Sequence, residues 1–290
     1  MIEKVNPSHP DKIADRIAGA IVDLAYKKQD DPKIAVEILI GHGMAHIIIE
    51  SSVGLDWNEE IERIVKRIAY GCADNEDTND LSITGIIVPQ DPELAKNQEN
   101  RPHCGDNGIF KGVPTNQEEQ TLSHLVRDLY RTWPTDGKYL YDARERNVTA
   151  CQSHAKTEEI EKAIRRSNPA LFNVITVNPL GEWTGGLDTD TGATNRKLGS
   201  DMGRAVTGGG LHGKDLTKAD VSVNIVCHIL AEQYGREIYA ACDIGDTAIS
   251  FIDDLGVEIE WMTFESVMKR AKEYISDLGG FEKLAEWGLI

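Results

Sequence analysis

Residues 33–52 read KIAVEILIGHGMAHIIIESS, and the pattern of this stretch decides the fold. Two runs rich in Ile and Val meet around Gly41 and Gly43, which predicts a β-hairpin. Upstream, Ile13, Ile17, Ile21 and Leu24 recur at helical spacing, with Pro10 in the first turn, where a helix tolerates it. Downstream, Asp56 and Glu59 can cap a helix over WNEEIERIVKRIAY, and LSITGIIVP reads as a further strand.

The last third repeats this order. TKADVSVNIVCHILAEQY is helical in spacing, REIYAACDIG and DTAISFIDD alternate as strands, and TFESVMKRAKEYISDL is a capped helix. Between them lie a helix, a short strand at RNVTA, a helix at TEEIEKAIRR and a strand at FNVITV. Two clear copies of helix–strand–strand–helix and a degenerate third predict an α+β fold of three similar α/β-sandwich-like repeats. The expected division is an N-terminal repeat over 1–90, a shortened middle repeat over 106–179 and a C-terminal repeat over 180–290.

Composition narrows the function. The chain has 290 residues, with 31 basic against 48 acidic side chains and a net charge of −17. Such a surface repels nucleic acid and anionic membranes, so neither is an expected partner. No run of eighteen apolar residues occurs, and MIEKVNPSHPDKIAD lacks a signal-peptide core, so a cytoplasmic protein is expected. The five cysteines are scattered without a C-x-x-C pair, which argues against a zinc ribbon or a disulfide framework.

Against this acidic background the local cations stand out. GGGLHGKDLTKAD, residues 208–220, fits the spacing G-x-x-x-x-G-K but continues with Asp215 where a P-loop needs Ser or Thr. No apolar strand precedes it, so the Walker reading fails on context as well. Arg196, Lys197, Lys214 and Lys218 nevertheless cluster among glycines, with Asp190 and Asp220 nearby. Glycine backbones, cations and carboxylates together suit a polyphosphate with a divalent metal. Asp11–Lys12 and Lys218–Asp220 open the first helices of the first and last copies, where helix N-termini favour anions.

The motifs SHPDKIADRIAGAIVD, GDNGIFKG, VNPLGEW, TDTGATNRK and GGGLHGKDLTKADVS follow one another in the order of the S-adenosylmethionine synthetase family. They resemble its H-P-D-K-I-x-D, G-D-Q-G, N-P-T-G, G-x-T-G-R-K and G-G-G-x-F-S-G-K-D-x-x-K-x-D. The resemblance implies three repeats about a pseudo-threefold axis and a homodimer, or a tetramer, with active sites at the subunit interface. The implied reaction joins ATP and L-methionine: sulfur attacks ribose C5′, and the triphosphate leaves and is cleaved to diphosphate and phosphate.

By motif position, the resemblance implies that His9 bonds near the leaving 5′ oxygen. Lys12, Arg196, Lys197, Lys214 and Lys218 would hold the triphosphate, with Lys218 also near methionine. Asp11 and Asp220 match magnesium carboxylates (Mg2+), Glu37 a potassium-associated glutamate (K+), and Glu3 a further metal-side glutamate. Glu50 and Gln90 match methionine contacts, and Asp190 touches both substrates. Trp183 would stack on adenine and Ile244 would lie near the base. Asp142 and Arg144 would serve as the family's D-A-K pair, with arginine for lysine.

Several departures accompany these matches. The loop GGGLHGKD is one position shorter than its counterpart, and Asn107 follows Asp106 where glutamine is usual. The chain is short for the family, chiefly in the middle repeat, and 91–105 corresponds to a gating loop. Two other classes share these residues: an ATP-binding phosphoryl-transfer enzyme, and a catalytically weak binding or regulatory protein.

Overall fold

The computed structural model describes residues 1–71, 81–93, 102–167, 171–207 and 209–290. The 33–52 stretch forms the expected hairpin, β2 (Ile34–Gly41) and β3 (Met44–Ser51). Its turn puts His42 at φ 52° and Gly43 at φ 74°. Two consecutive left-handed residues match the right-handed twist of the flanking strands. Alternation fixes the faces: Val36, Ile38, Ile40, Ala45, Ile47 and Ile49 are buried, while Glu37, Leu39, Ile48 and Glu50 point outward.

The first copy begins with β1 (Ile2–Val5) and α1 (Pro10–Lys28), ahead of the hairpin. After it, a π turn at Trp57–Ile61 runs into α2 (Glu62–Tyr70), which leads to β4 (Ser82–Pro89), parallel to β3. Asp56 caps this helix as expected, accepting from the Glu59 N–H at 2.7 Å. The second copy follows the same plan: β5 (Gly108–Gly112), α3 (Gln117–Thr132), β6 (Gly137–Asp142), β7 (Asn147–Gln152), α4 (Thr157–Ser167) and β8 (Val174–Val177). In the third copy, β9 (Thr191–Ala193) and the short α5 (Leu198–Met202) precede α6 (Ala219–Tyr234). Strands β10 (Ile238–Cys242), β11 (Ala248–Asp253) and β12 (Glu258–Thr263) then lead to α7 (Phe264–Leu278) and α8 (Phe281–Trp287).

Among the described residues the strands make three four-stranded sheets, ordered β4-β3-β2-β9, β1-β6-β7-β8 and β12-β11-β10-β5. Each copy's leading strand leaves its own hairpin and pairs with another's. β1 lies antiparallel to β6, β5 to β10 and β9 to β2. The exchange runs round all three copies, so each hairpin has one edge covered by a borrowed strand. These leading strands, together with β6, β12, α5 and α8, are absent from the sequence reading. Strands this short show too little alternation to be recognised from pattern alone.

Two apolar cores result. The larger unites the first and third copies around α1 and α6, and the smaller sits inside the second copy around Leu125, Tyr139, Val148 and Ile160. Helices α1 and α6 are buried on most sides, so their N-termini are held rigidly. Strand β9 docks on the start of α1 so closely that a Cβ on Gly192 would lie 2.0 Å from the Pro10 carbonyl oxygen. Only glycine fits there. Gly192→Ala should therefore cost about 1–3 kcal/mol in urea unfolding, and an unchanged midpoint would contradict this packing.

Candidate functional site

Helix α1 starts at a cap made by a histidine. The Asp11 N–H donates to His9 Nδ1 at 3.2 Å, so the neutral ring carries its proton on Nε2. Burial, with Lys197 adding to it, holds this imidazole down at about 4. Asp11 is 2 % exposed and faces the segment just after β9. Its carboxylate accepts from the Ala193 N–H at 2.9 Å, pairs with Lys197 Nζ at 2.7 Å and lies 3.6 Å from Arg196. One turn on, Asp15 accepts from the Asn195 N–H at 2.8 Å. Two carboxylates on one face of α1 thus fix the loop that carries Arg196 and Lys197.

Beside this loop lies a cavity of about 470 Å³ against the outer face of the second sheet. Lys138, Leu140, Thr149 and Cys151 form its strand wall, and His9, Asp136, Trp183, Thr184, Thr189 and Asp190 complete the lining. Trp183 is oriented by its indole N–H, which donates to Asn178 Oδ1 at 3.1 Å. Asp136 accepts from the Gly186 N–H at 3.0 Å, and burial raises its carboxyl to about 6. Glu3, across from β6, pairs with Lys138 at 3.3 Å. An aromatic face, one neutral imidazole, a lysine and two carboxylates make a pocket suited to a polar, ring-bearing ligand.

A second charged cluster surrounds the start of α6. Residues 213–215 run beside β2, with the Val36 N–H donating to the Gly213 carbonyl at 2.6 Å. Asp215 is buried and accepts from the N–H groups of Ile34 at 2.7 Å and Thr217 at 2.6 Å. Its role is therefore to pin the turn, and burial raises its carboxyl above the usual range. Lys214 pairs with Asp220 at 3.1 Å and donates to the Gly209 carbonyl at 3.1 Å. Lys218 stands at the N-cap position of α6. On the adjoining outer face of the first sheet, Glu37 accepts from the Thr194 hydroxyl, and Glu50 is exposed. The Gln90 N–H donates to the Ser51 carbonyl at 3.3 Å, and its Oε1 is buried without a partner.

Not every expected residue reaches these clusters. Lys12 is fully buried and pairs with Asp201 at 2.5 Å, on the inner side of α1. Asp201 also meets His212 at 3.0 Å. Burial opposes its charge, but Lys12 and His212 hold its carboxyl well below the usual range. Asp15, Asp201 and His212 are close enough together to hold a metal ion. The Lys12 ammonium, 4.0 Å from Asp15, already supplies the positive charge there. Burial raises Asp15 to about 6.

Asp142 and Arg144 lie at the tip of the β6–β7 hairpin, where the Arg144 N–H donates to Asp142 Oδ1 at 3.1 Å, and neither lines the cavity. The acid and cation from the second copy that do line it are Asp136 and Lys138, in TDGK. Both stretches have an acid two positions before a cation, but only Asp136 and Lys138 lie at the end of β6 nearer the cavity. Lys138, Leu140 and Asp142 share the outward phase of GKYLYD, so alternation alone does not separate the two pairs. Ile244 is 50 % exposed on the β10–β11 turn, outside the cavity lining. Of the segment 91–105, residues 94–101 lie outside the described residues, as do Cys72 and Gly208.

Comparison with known proteins fits this arrangement. Residues 1–92 match the family model described as S-adenosylmethionine synthetase, N-terminal domain. The S-adenosylmethionine synthase of Aquifex aeolicus is 27% identical, over 80% of this chain and 73% of its own. That of Mycoplasma capricolum is 29% identical, over 79% and 71%. An unusual S-adenosylmethionine synthetase from Campylobacter jejuni superposes with a TM-score of 0.74 at 19% identity, covering 100% of this chain and 94% of that one. The chain is thus similar, at low identity, to the S-adenosylmethionine synthetases, and its first 92 residues match the N-terminal domain model of that family.

Proposed function

We propose that the protein is an active methionine adenosyltransferase, forming S-adenosylmethionine from ATP and L-methionine. The observation that carries this reading is the group at the start of α1: Asp11 holding Lys197 and Arg196 beside a cavity lined by His9, Lys138, Trp183 and Asp190. Thioether sulfur is already nucleophilic, so the site needs no base to activate it. The demand lies at the leaving group, where charge grows on the triphosphate and pre-set cations stabilise it. Trp183 offers a π-face for adenine. His9, neutral at physiological pH with its proton on Nε2, donates toward the departing 5′ oxygen. Arg196, Lys197 and Lys138 hold the phosphates, with Asp136 and Lys138 in the role first expected of Asp142 and Arg144.

Lys214, Lys218, Glu37, Glu50 and Gln90 supply the remaining contacts, with the two glutamates and Gln90 toward the amino acid and a potassium ion. They belong to a different sheet face from the cavity, and Leu39, Met44, Ile48 and Ile86 around them are 53%, 54%, 44% and 53% exposed. A contiguous apolar face around charged groups is what a partner surface looks like. It supports a homodimer in which the second cluster of one copy completes the cavity of the other. Asp11 and Asp220 each already hold a cation, Lys197 and Lys214, so both carboxylates suit positive charge. They would hold magnesium, which, when bound, adds charge stabilisation on the phosphates. Lys12, paired inward, sets the start of α1 rather than touching phosphate. The repeats over 1–90, 106–179 and 180–290, and a cytoplasmic setting, belong to the same reading. Among the described residues no helix is long and apolar enough to cross a membrane.

Incubation with ATP, methionine, magnesium and potassium should yield S-adenosylmethionine by mass spectrometry, and none at any enzyme concentration would sink the proposal. Replacing the β–γ bridging oxygen of ATP should leave adenosyl transfer intact; its loss would favour phosphoryl transfer. Lys138→Ala should lower kcat/KM for ATP by about 100-fold, while Arg144→Ala should stay within about threefold; the reverse order would return Arg144 to the site. In NMR titration, the His9 ring should stay neutral from pH 7 down to 5 and protonate near 4. A midpoint near 6.5 would mean that His9 is solvated and not part of the cavity wall.

A further inference from the structure

The loop before Lys214 is one position shorter than the pattern it resembles, so its turn needs another means of support. Asn195 supplies one. It sits at φ 60°, a left-handed conformation that Asn tolerates better than most residues. Its Oδ1 accepts from the N–H groups of Leu211 and His212, both at 3.1 Å, and its Nδ2 donates to the His212 carbonyl at 3.2 Å. Leu211 and His212 are buried, at 0% and 2% exposure. Without this acceptor their amides would be poorly satisfied. The backbone of Asn195 is itself tied to Asp15 on α1 at 2.8 Å. The fit is close: a Cβ on Gly210 would lie 2.3 Å from Asn195 Oδ1.

The next residue along the chain is Arg196, followed by Lys197, and Lys214 stands two positions beyond His212. We infer that Asn195 is a positioning residue that fastens the shortened loop 209–214 to the loop 193–197, so that Arg196, Lys197 and Lys214 keep one fixed relation to each other. The inference rests on the reading of these cations as polyphosphate ligands, and the test separates the two. The carboxamide acts through the loop and touches no reacting atom.

Two variants isolate the acceptor from the backbone. Asn195→Gly keeps the left-handed conformation and removes the acceptor; Asn195→Ala removes the acceptor and strains the backbone. Both should weaken binding of inorganic tripolyphosphate by about tenfold in calorimetry, equivalent to losing about one or two net hydrogen bonds. Both should also speed hydrogen exchange at the Leu211 and His212 amides and lower the melting temperature, Asn195→Ala by more because it adds backbone strain. If Asn195→Gly binds tripolyphosphate as the parent does, or leaves those amides equally protected, the inference is overturned and Asn195 serves the backbone alone. If the parent chain binds no tripolyphosphate, the polyphosphate reading fails, and unchanged or faster exchange at the two amides still decides whether Asn195 fastens the loop.

Discussion

The structure depends on two carboxylates one turn apart on α1. Asp11 and Asp15 accept from the N–H groups of Ala193 and Asn195, residues far away in sequence. Both side chains are almost wholly buried, where a charge-assisted hydrogen bond is strong and an unpaired charge is costly. That staple sets the register of β9 on the first sheet and closes the exchange of strands around the three copies. It also fixes where Arg196 and Lys197 leave the backbone. Fold and charge site are thus decided by the same two side chains.

The electrostatics run against the rest of the molecule. A chain of net charge −17 places Arg196, Lys197 and Lys214 at two helix starts and holds each against a carboxylate. Those pairs keep long side chains ordered before any anion arrives, so less ordering remains to be done on binding. Beneath them, Lys12, Asp201, His212 and Asp15 form a buried polar network around the base of α1. This network explains why one cation of the first motif faces inward although its neighbours face the cavity.

Much of this was legible in the sequence, and for physical reasons. The hairpin over 33–52, the capped helices and the threefold plan follow from periodicity, since each element is long enough to show its period. His9, Trp183 and Asp190 line one cavity, and the motif that carries His9 lies far along the chain from those that carry the other two. The leading strands were not legible: β9 spans Thr191–Ala193 and draws its stability from α1 and β2, not from its own residues. Choosing between TDGK and YDAR required knowing which end of β6 meets the cavity, and local pattern carries no such information. The direction of Lys12 depended likewise on Asp201, a residue brought close only by the tertiary fold.

A crystal structure with a non-hydrolysable β–γ-bridged ATP analogue and methionine tests the central claim most directly. The account predicts adenine against Trp183, phosphates against Lys138, Arg196 and Lys197, and Lys214 and Lys218 of a second copy closing the site. Nucleotide bound elsewhere, or phosphates held by Arg144 at the hairpin tip with Lys138 free, would contradict it.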